Sequence, residues 1–177
     1  MAFYSNDIEV LVDEPTLQKR IRELGAQITR DYQGKELTLI CVLKGSAFFA
    51  MDLARYVDLP LTIEFLGVSS YQGGTETTGE VRITTDVSKP MAGKHLLVIE
   101  DIIDTGLTMS FLLENLKARH PASVKVCTLL EKPARARTQV PIDYKGFVID
   151  DVFVVGYGLD YAERYRNLPF IGVMKGK

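Results

Sequence analysis

Glu100 and Asp101, then Asp104-Thr105-Gly106-Leu107-Thr108, bring three carboxylates, two hydroxyls and a glycine into one short segment behind the apolar run Leu96 to Ile99. Carboxylate oxygens are ligands for a hard divalent cation. Hydroxyls and free backbone N–H groups at a helix start hold a phosphate. Together they suit a phosphorylated sugar carried with magnesium. The plainer alternative is that Asp104 or Thr105 is an ordinary helix cap and Glu100-Asp101 a solvated loop. Three acidic groups following a buried strand weigh against it, because like charges so close raise each other's energy unless a cation joins them.

These groups need elements to position them. Leu96 to Ile99 is continuously apolar and partly β-branched, the pattern of a strand covered on both faces of a parallel sheet. Such strands present their carboxyl ends to the crevice where ligands bind, so Glu100 and Asp101 are expected at that edge. Ser110 to His120 predicts an amphipathic helix with Phe111, Leu112, Leu113 and Leu116 towards one face, stopped by Pro121. The Asp104-to-Thr108 turn then lies at the helix entry, where unpaired N–H groups and about half a positive charge favour an anion.

The pattern recurs along the chain. Ile8 to Asp13 reads as an extended lead-in, and Glu14-Pro15 opens a helix through Leu17, Ile21, Leu24 and Ile28. The buried strand Leu37 to Leu43 delivers Lys44-Gly45-Ser46 to a second helix start, which reads either as a second anion site or as a lysine beside a glycine cap. Strands are predicted at Leu61 to Val68, Val81 to Thr85 and Val124 to Leu130, with one or two more in Phe147 to Val155. Ser69 to Gly79, rich in Gly, Thr and Ser, is a long loop, either inert or a lid. Strands alternating with helices predict one α/β domain with a mainly parallel sheet.

Composition sets bounds. A chain of 177 residues with 46% hydrophobic and 25% charged residues is an ordinary globular domain. A net charge of -2 gives no bulk electrostatic support for nucleic acid as a partner. No apolar run reaches the roughly 20 residues that span a bilayer, so no membrane partner is expected. Cys41 and Cys127 sit in apolar runs and read as buried thiols in a reducing, cytoplasmic compartment. The glycine fingerprint of dinucleotide folds and the phosphate loop of nucleotide kinases are both absent.

The segment from Leu97 to Thr108 resembles the phosphoribosyl diphosphate signature of the type I phosphoribosyltransferases: an apolar strand, two acidic residues, a short apolar spacer, then Asp-Thr-Gly-x-Thr. The likeness covers most of the chain and is greatest to the hypoxanthine-guanine branch. It implies a twisted, mainly parallel sheet flanked by helices over residues 35–135, with a small hood from the two chain-terminal segments and a lid over 69–80. It implies transfer of a phosphoribosyl group from phosphoribosyl diphosphate to hypoxanthine or guanine, with IMP or GMP and diphosphate as products and Mg2+ as cofactor. Asp104 would be the acid/base group, and Thr105, Gly106, Leu107 and Thr108 would hold the 5′-phosphate. Glu100 and Asp101 would meet the ribose and magnesium. Lys44, Gly45 and Arg166 would bind diphosphate, with a cis peptide at Leu43-Lys44. Lys132, Phe153, Val154 and Asp160 would form the purine site, Asp160 also meeting a second magnesium ion. Ser70-Tyr71 would close over the reacting centre. On residue type alone Phe153 is as suited to a core and Arg166 to a solvated surface. Leu107 stands where some relatives carry Lys. A homodimer or homotetramer is implied by analogy, with the apolar helix Gly45 to Val57 as one possible contact. Two other classes stay open: a non-catalytic regulator on the same fold, and transfer to xanthine or a pyrimidine.

Overall fold

The structure, a computed structural model, describes residues 7–70 and 81–176. In chain order the elements are β1 (Ile8–Val12), α1 (Glu14–Asp31), β2 (Leu37–Leu43), α2 (Ala47–Tyr56), β3 (Leu61–Ser70), β4 (Val81–Thr85), β5 (His95–Ile103), α3 (Leu107–Lys117), β6 (Ser123–Glu131), β7 (Tyr144–Val148), β8 (Val154–Val155) and β9 (Ile171–Met174). A single 3-10 turn spans Pro133–Arg135.

The apolar run Leu37–Leu43 becomes a central strand because both its faces are covered. It pairs in parallel with β3 on one side and β5 on the other. The sheet order is β4-β3-β2-β5-β6-β7, with only β4 antiparallel. α1 and α2 cover one face, where Leu17, Ile21, Leu24 and Ile28 meet Leu39, Phe49, Leu53, Leu97 and Ile99. α3 covers the other, with Leu112 and Leu116 against Ile40, Val98 and Val126. α1 starts as its sequence predicts: Asp13 accepts a hydrogen bond from the Thr16 amide at 2.9 Å, and Pro15 occupies the first turn. A second sheet, β1-β9-β8, is antiparallel and joins the two chain-terminal segments into a hood.

β3 runs to Ser70, two residues into the expected Ser69-to-Gly79 loop, because Ser69 and Ser70 pair with Arg82 and Val81 of β4. Three further boundaries differ from expectation. β5 continues to Ile103, so Glu100 sits inside the ladder opposite Thr128 rather than beyond the strand. Pairing with β6 outweighs the low strand preference of acidic residues. α3 begins at Leu107, three residues before the predicted Ser110. Its first turn closes when the Ser110 amide donates to the Gly106 carbonyl at 2.9 Å. Gly106 is the N-cap, at φ +79 and against the Thr138 carbonyl, where a side chain has no room. The helix also ends early, at Lys117, because His120 turns left-handed at φ 55 ahead of Pro121. The stretch Phe147 to Val155 divides between the two sheets.

Candidate active site

The carboxyl edges of β2, β5 and β6 place Lys44, the Glu100-to-Thr108 segment and Lys132 side by side. The Leu43–Lys44 peptide is cis. Ser46 does not cap α2 through its side chain; its buried hydroxyl donates to the Val42 carbonyl at 2.7 Å. The Lys132 amide donates to the Ile103 carbonyl at 3.0 Å, tying the two strand ends together.

Hollows open there around Asp104, one of about 340 Å³ lined by Ile103, Asp104, Lys132 and Val140. A small one of about 90 Å³ is lined by Glu100, Asp104, Thr105, Gly106 and Thr108, at the N-terminus of α3. Beside it a cleft of about 420 Å³ is walled by Asp101, Asp104, Lys132, Phe153, Val154 and Asp160. Asp104 lines all three. Phe153 is 39% exposed and stands edge-on to Tyr161, ring centres 5.7 Å apart, so it is a wall of the cleft and not core. Val154 is held in the hood sheet by pairing with Val173.

Glu100 and Asp101 are each half-buried. Burial, then the neighbouring Asp101 charge, lifts the Glu100 carboxyl well above the usual carboxylate range. Burial also raises Asp101, opposed first by a hydrogen bond with the Glu100 carboxyl, then by the Ile102 amide, which donates to it at 2.8 Å, and by Arg166. A cation relieves such a pair. The sign for stability follows. A carboxyl raised in the folded chain favours folding at low pH, and that contribution is lost as pH climbs from about 4.3 through the raised value. Glu100→Gln, neutral throughout, is expected to raise the neutral-pH melting temperature and to flatten its pH dependence. A melting curve no more stable than the parent's at pH 7 would count against this reading.

Gly45 fits against the same pair. A Cβ at this position would overlap the Asp101 carboxylate. Gly45→Ala therefore forces Asp101 to swing off the Ile102 amide. The fold should survive, since the clash is with a side chain, but kcat/KM should fall about 100-fold. Parent-like kinetics in a soluble Gly45→Ala protein would show that the acidic pair tolerates displacement.

Ion pairs organise the rest. Lys44 Nζ lies 2.9 Å from the Glu163 carboxylate, and this exposed lysine holds the Glu163 carboxyl below its ordinary range. Arg166 sits 2.8 Å from Asp160 and 3.6 Å from Glu163, and donates to the Gly158 carbonyl at 2.7 Å. Arg135 Nε is 2.9 Å from Asp104 Oδ1. Its approach is not aligned for a hydrogen bond, so that buried oxygen keeps an unfilled acceptor. Asp151 draws Arg135 and Lys132 together, at 3.5 and 3.9 Å. Arg135, Asp151 and Glu163 were not read from sequence. Arg135 carried a signal, since it leaves the carboxyl end of a strand three residues after Lys132. Asp151 and Glu163 carried none, because their partners are remote in sequence.

Among the described residues, no group of three or more His, Cys, Asp and Glu converges as a metal cage. Glu100-Asp101 is one donor pair, and Asp160, already engaged with Arg166, is a separate donor. Two carboxylates without a cage fit magnesium, which commonly takes one or two protein carboxylates and completes its shell with water and substrate oxygens. Ser70 is the last residue of β3. Tyr71 and the rest of the expected lid lie outside the described residues.

A phosphoribosyl transferase domain profile matches residues 7–162, and the chain belongs to that family. Its parallel sheet and separate hood are the type I fold that the sequence resemblance implied. A hypoxanthine-guanine phosphoribosyltransferase of Staphylococcus aureus is 50% identical over 171 residues, covering 96% of this chain and 96% of its own. A bifunctional protein TilS/HprT of Listeria monocytogenes is 51% identical over 171 residues, and this chain spans 26% of its length. The crystal structure of a hypoxanthine phosphoribosyltransferase from Staphylococcus aureus matches with a TM-score of 0.92 at 50% identity, covering 96% of this chain and 93% of that one.

Proposed function

We propose that this chain transfers the 5-phosphoribosyl group from phosphoribosyl diphosphate to hypoxanthine or guanine, giving IMP or GMP and diphosphate. The observation that carries the reading is that Asp104 lines both the hollow at the start of α3 and the cleft walled by Lys132 and Phe153. One carboxylate thus reaches a phosphate cradle and a flat, aromatic-walled cleft at once.

The roles follow from the chemistry of each group. The Thr105-to-Thr108 turn holds the 5′-phosphate with backbone amides and hydroxyls, an anchor remote from the bond that breaks. Leu107 contributes its main chain only, without the cation that some relatives carry there. Phe153 stacks on the purine, Val154 meets its edge through the backbone, and Lys132 donates to the oxygen at carbon 6. Asp104 exchanges a proton with nitrogen 7. Lys44, Gly45 and Arg166 receive the diphosphate, and Glu100 and Asp101 hold the ribose hydroxyls. Glu100, Asp101 and Asp160 would hold magnesium, which when bound neutralises charge on the departing diphosphate. Ser70-Tyr71 would exclude water from the cationic sugar. The free, buried Cys41 and Cys127 suit a reducing cytoplasm. Phe48 on α2, 44% exposed, suits packing between copies in a homodimer or homotetramer.

The test is a panel of hypoxanthine, guanine, xanthine, adenine and a pyrimidine, each assayed with phosphoribosyl diphosphate and magnesium, alongside calorimetry of phosphoribosyl diphosphate alone with the metal. Nucleotide formation from hypoxanthine or guanine supports the reading. Binding without turnover of any base indicates a regulator instead. Absence of binding rejects the proposal altogether.

A further inference from the structure

We infer that Tyr157 and Asp52 form a latch that positions the diphosphate-binding cations. Neither residue lines the described walls of the cleft. Tyr157 lies in a turn of three successive left-handed residues, Gly156 at φ 98, Tyr157 at φ 48 and Gly158 at φ 99. Glycine adopts that backbone freely, but tyrosine does not, so something must hold it. The hold is the buried side chain itself. Tyr157 is 4% exposed, and its hydroxyl donates to Asp52 Oδ2 on α2 at 2.5 Å. The same oxygen accepts from Gln18 Nε2 on α1 at 2.9 Å. Burial and the facing Asp52 carboxylate push the Tyr157 phenol upward, so it remains a neutral donor. A short hydrogen bond onto a carboxylate is the strong kind.

What the latch fixes is one residue away. The Gly158 amide donates to the Arg166 carbonyl at 2.9 Å, and Arg166 Nη1 donates to the Gly158 carbonyl at 2.7 Å. Gly158 thus holds both the backbone and the guanidinium of Arg166. Gly158 also packs directly on the Gly45 carbonyl, where a Cβ would collide with it. The turn therefore sits between the two diphosphate-binding segments, and its anchor is on α2, the helix that follows Lys44 and Gly45. The purine wall is held differently, by β8–β9 pairing at Val154 and Val155. Loosening the latch should disturb diphosphate more than purine. The inference rests on the reading of Lys44, Gly45 and Arg166 as diphosphate ligands.

Steady-state kinetics on Tyr157→Phe, which removes only the hydroxyl, test this. KM for phosphoribosyl diphosphate should rise about tenfold, while kcat and KM for hypoxanthine stay within about twofold. Asp52→Asn, which keeps an acceptor, should retain more of the parental KM than Asp52→Ala, and Tyr157→Phe should add little in the Asp52→Ala background. Parent protein that does not bind phosphoribosyl diphosphate overturns both the functional reading and the latch. Parent protein that binds it, beside a Tyr157→Phe variant with unchanged KM or with equal losses for both substrates, overturns the latch alone.

Discussion

Adenine is expected to be used about 10⁴–10⁵-fold less efficiently than hypoxanthine, measured as kcat/KM with phosphoribosyl diphosphate at saturation. The reason is donor against donor. The Lys132 ammonium offers three N–H groups and no acceptor. It answers the carbonyl oxygen at carbon 6 of hypoxanthine or guanine, and cannot answer the amino group of adenine. The side chain has little freedom to withdraw. Lys132 is 7% exposed, its amide is tied to Ile103 at 3.0 Å, and Asp151 draws its ammonium from 3.9 Å. A buried donor left facing another donor loses its water without gaining a partner. Lys132→Gln should narrow the gap, since a carboxamide can turn either its oxygen or its nitrogen to the base. Adenine turnover within about 100-fold of hypoxanthine in the parent chain would show that Lys132 does not read this position.

Asp104→Asn is expected to lower kcat by about 10²–10⁴-fold while leaving the affinity for phosphoribosyl diphosphate nearly unchanged. Asparagine keeps the shape and removes the capacity to take a proton. The structure separates this role from the structural alternative. Were Asp104 the cap of α3, its replacement would act through stability. The cap is Gly106, with no side-chain capping bond, so the carboxylate is not spent on the helix. Arg135 lies 2.9 Å away but poorly aligned, and the buried Asp104 Oδ1 keeps an unfilled acceptor. Single-turnover kinetics beside calorimetry distinguish the outcomes. Loss of turnover with binding intact supports proton exchange at Asp104. Parental turnover in the variant removes the assignment.

Sequence by itself determined the kind of sheet, the strand ends that matter and the segment on which the chemistry rests. Mostly apolar, partly β-branched runs such as Leu37–Leu43 and Leu96 to Ile99 are stable only when covered on both faces, and the run of Glu100 to Thr108 is local, so both are written in neighbouring residues. The segment's local conformation was less legible. Glu100 entered the ladder because β6 was there to pair with it, and α3 started at Leu107 because the Thr138 carbonyl leaves room only for Gly106. Tertiary structure alone decided which remote polar groups meet. Lys44 found Glu163, 119 residues away, and Tyr157 found Asp52, 105 residues away. Tertiary structure also decided that Phe153 is a wall and not core, because the hood sheet formed by the two chain-terminal segments turns it towards the cleft. Such pairings depend on how the layers stack, and a periodicity that reports one element's buried face carries no record of what lies across from it.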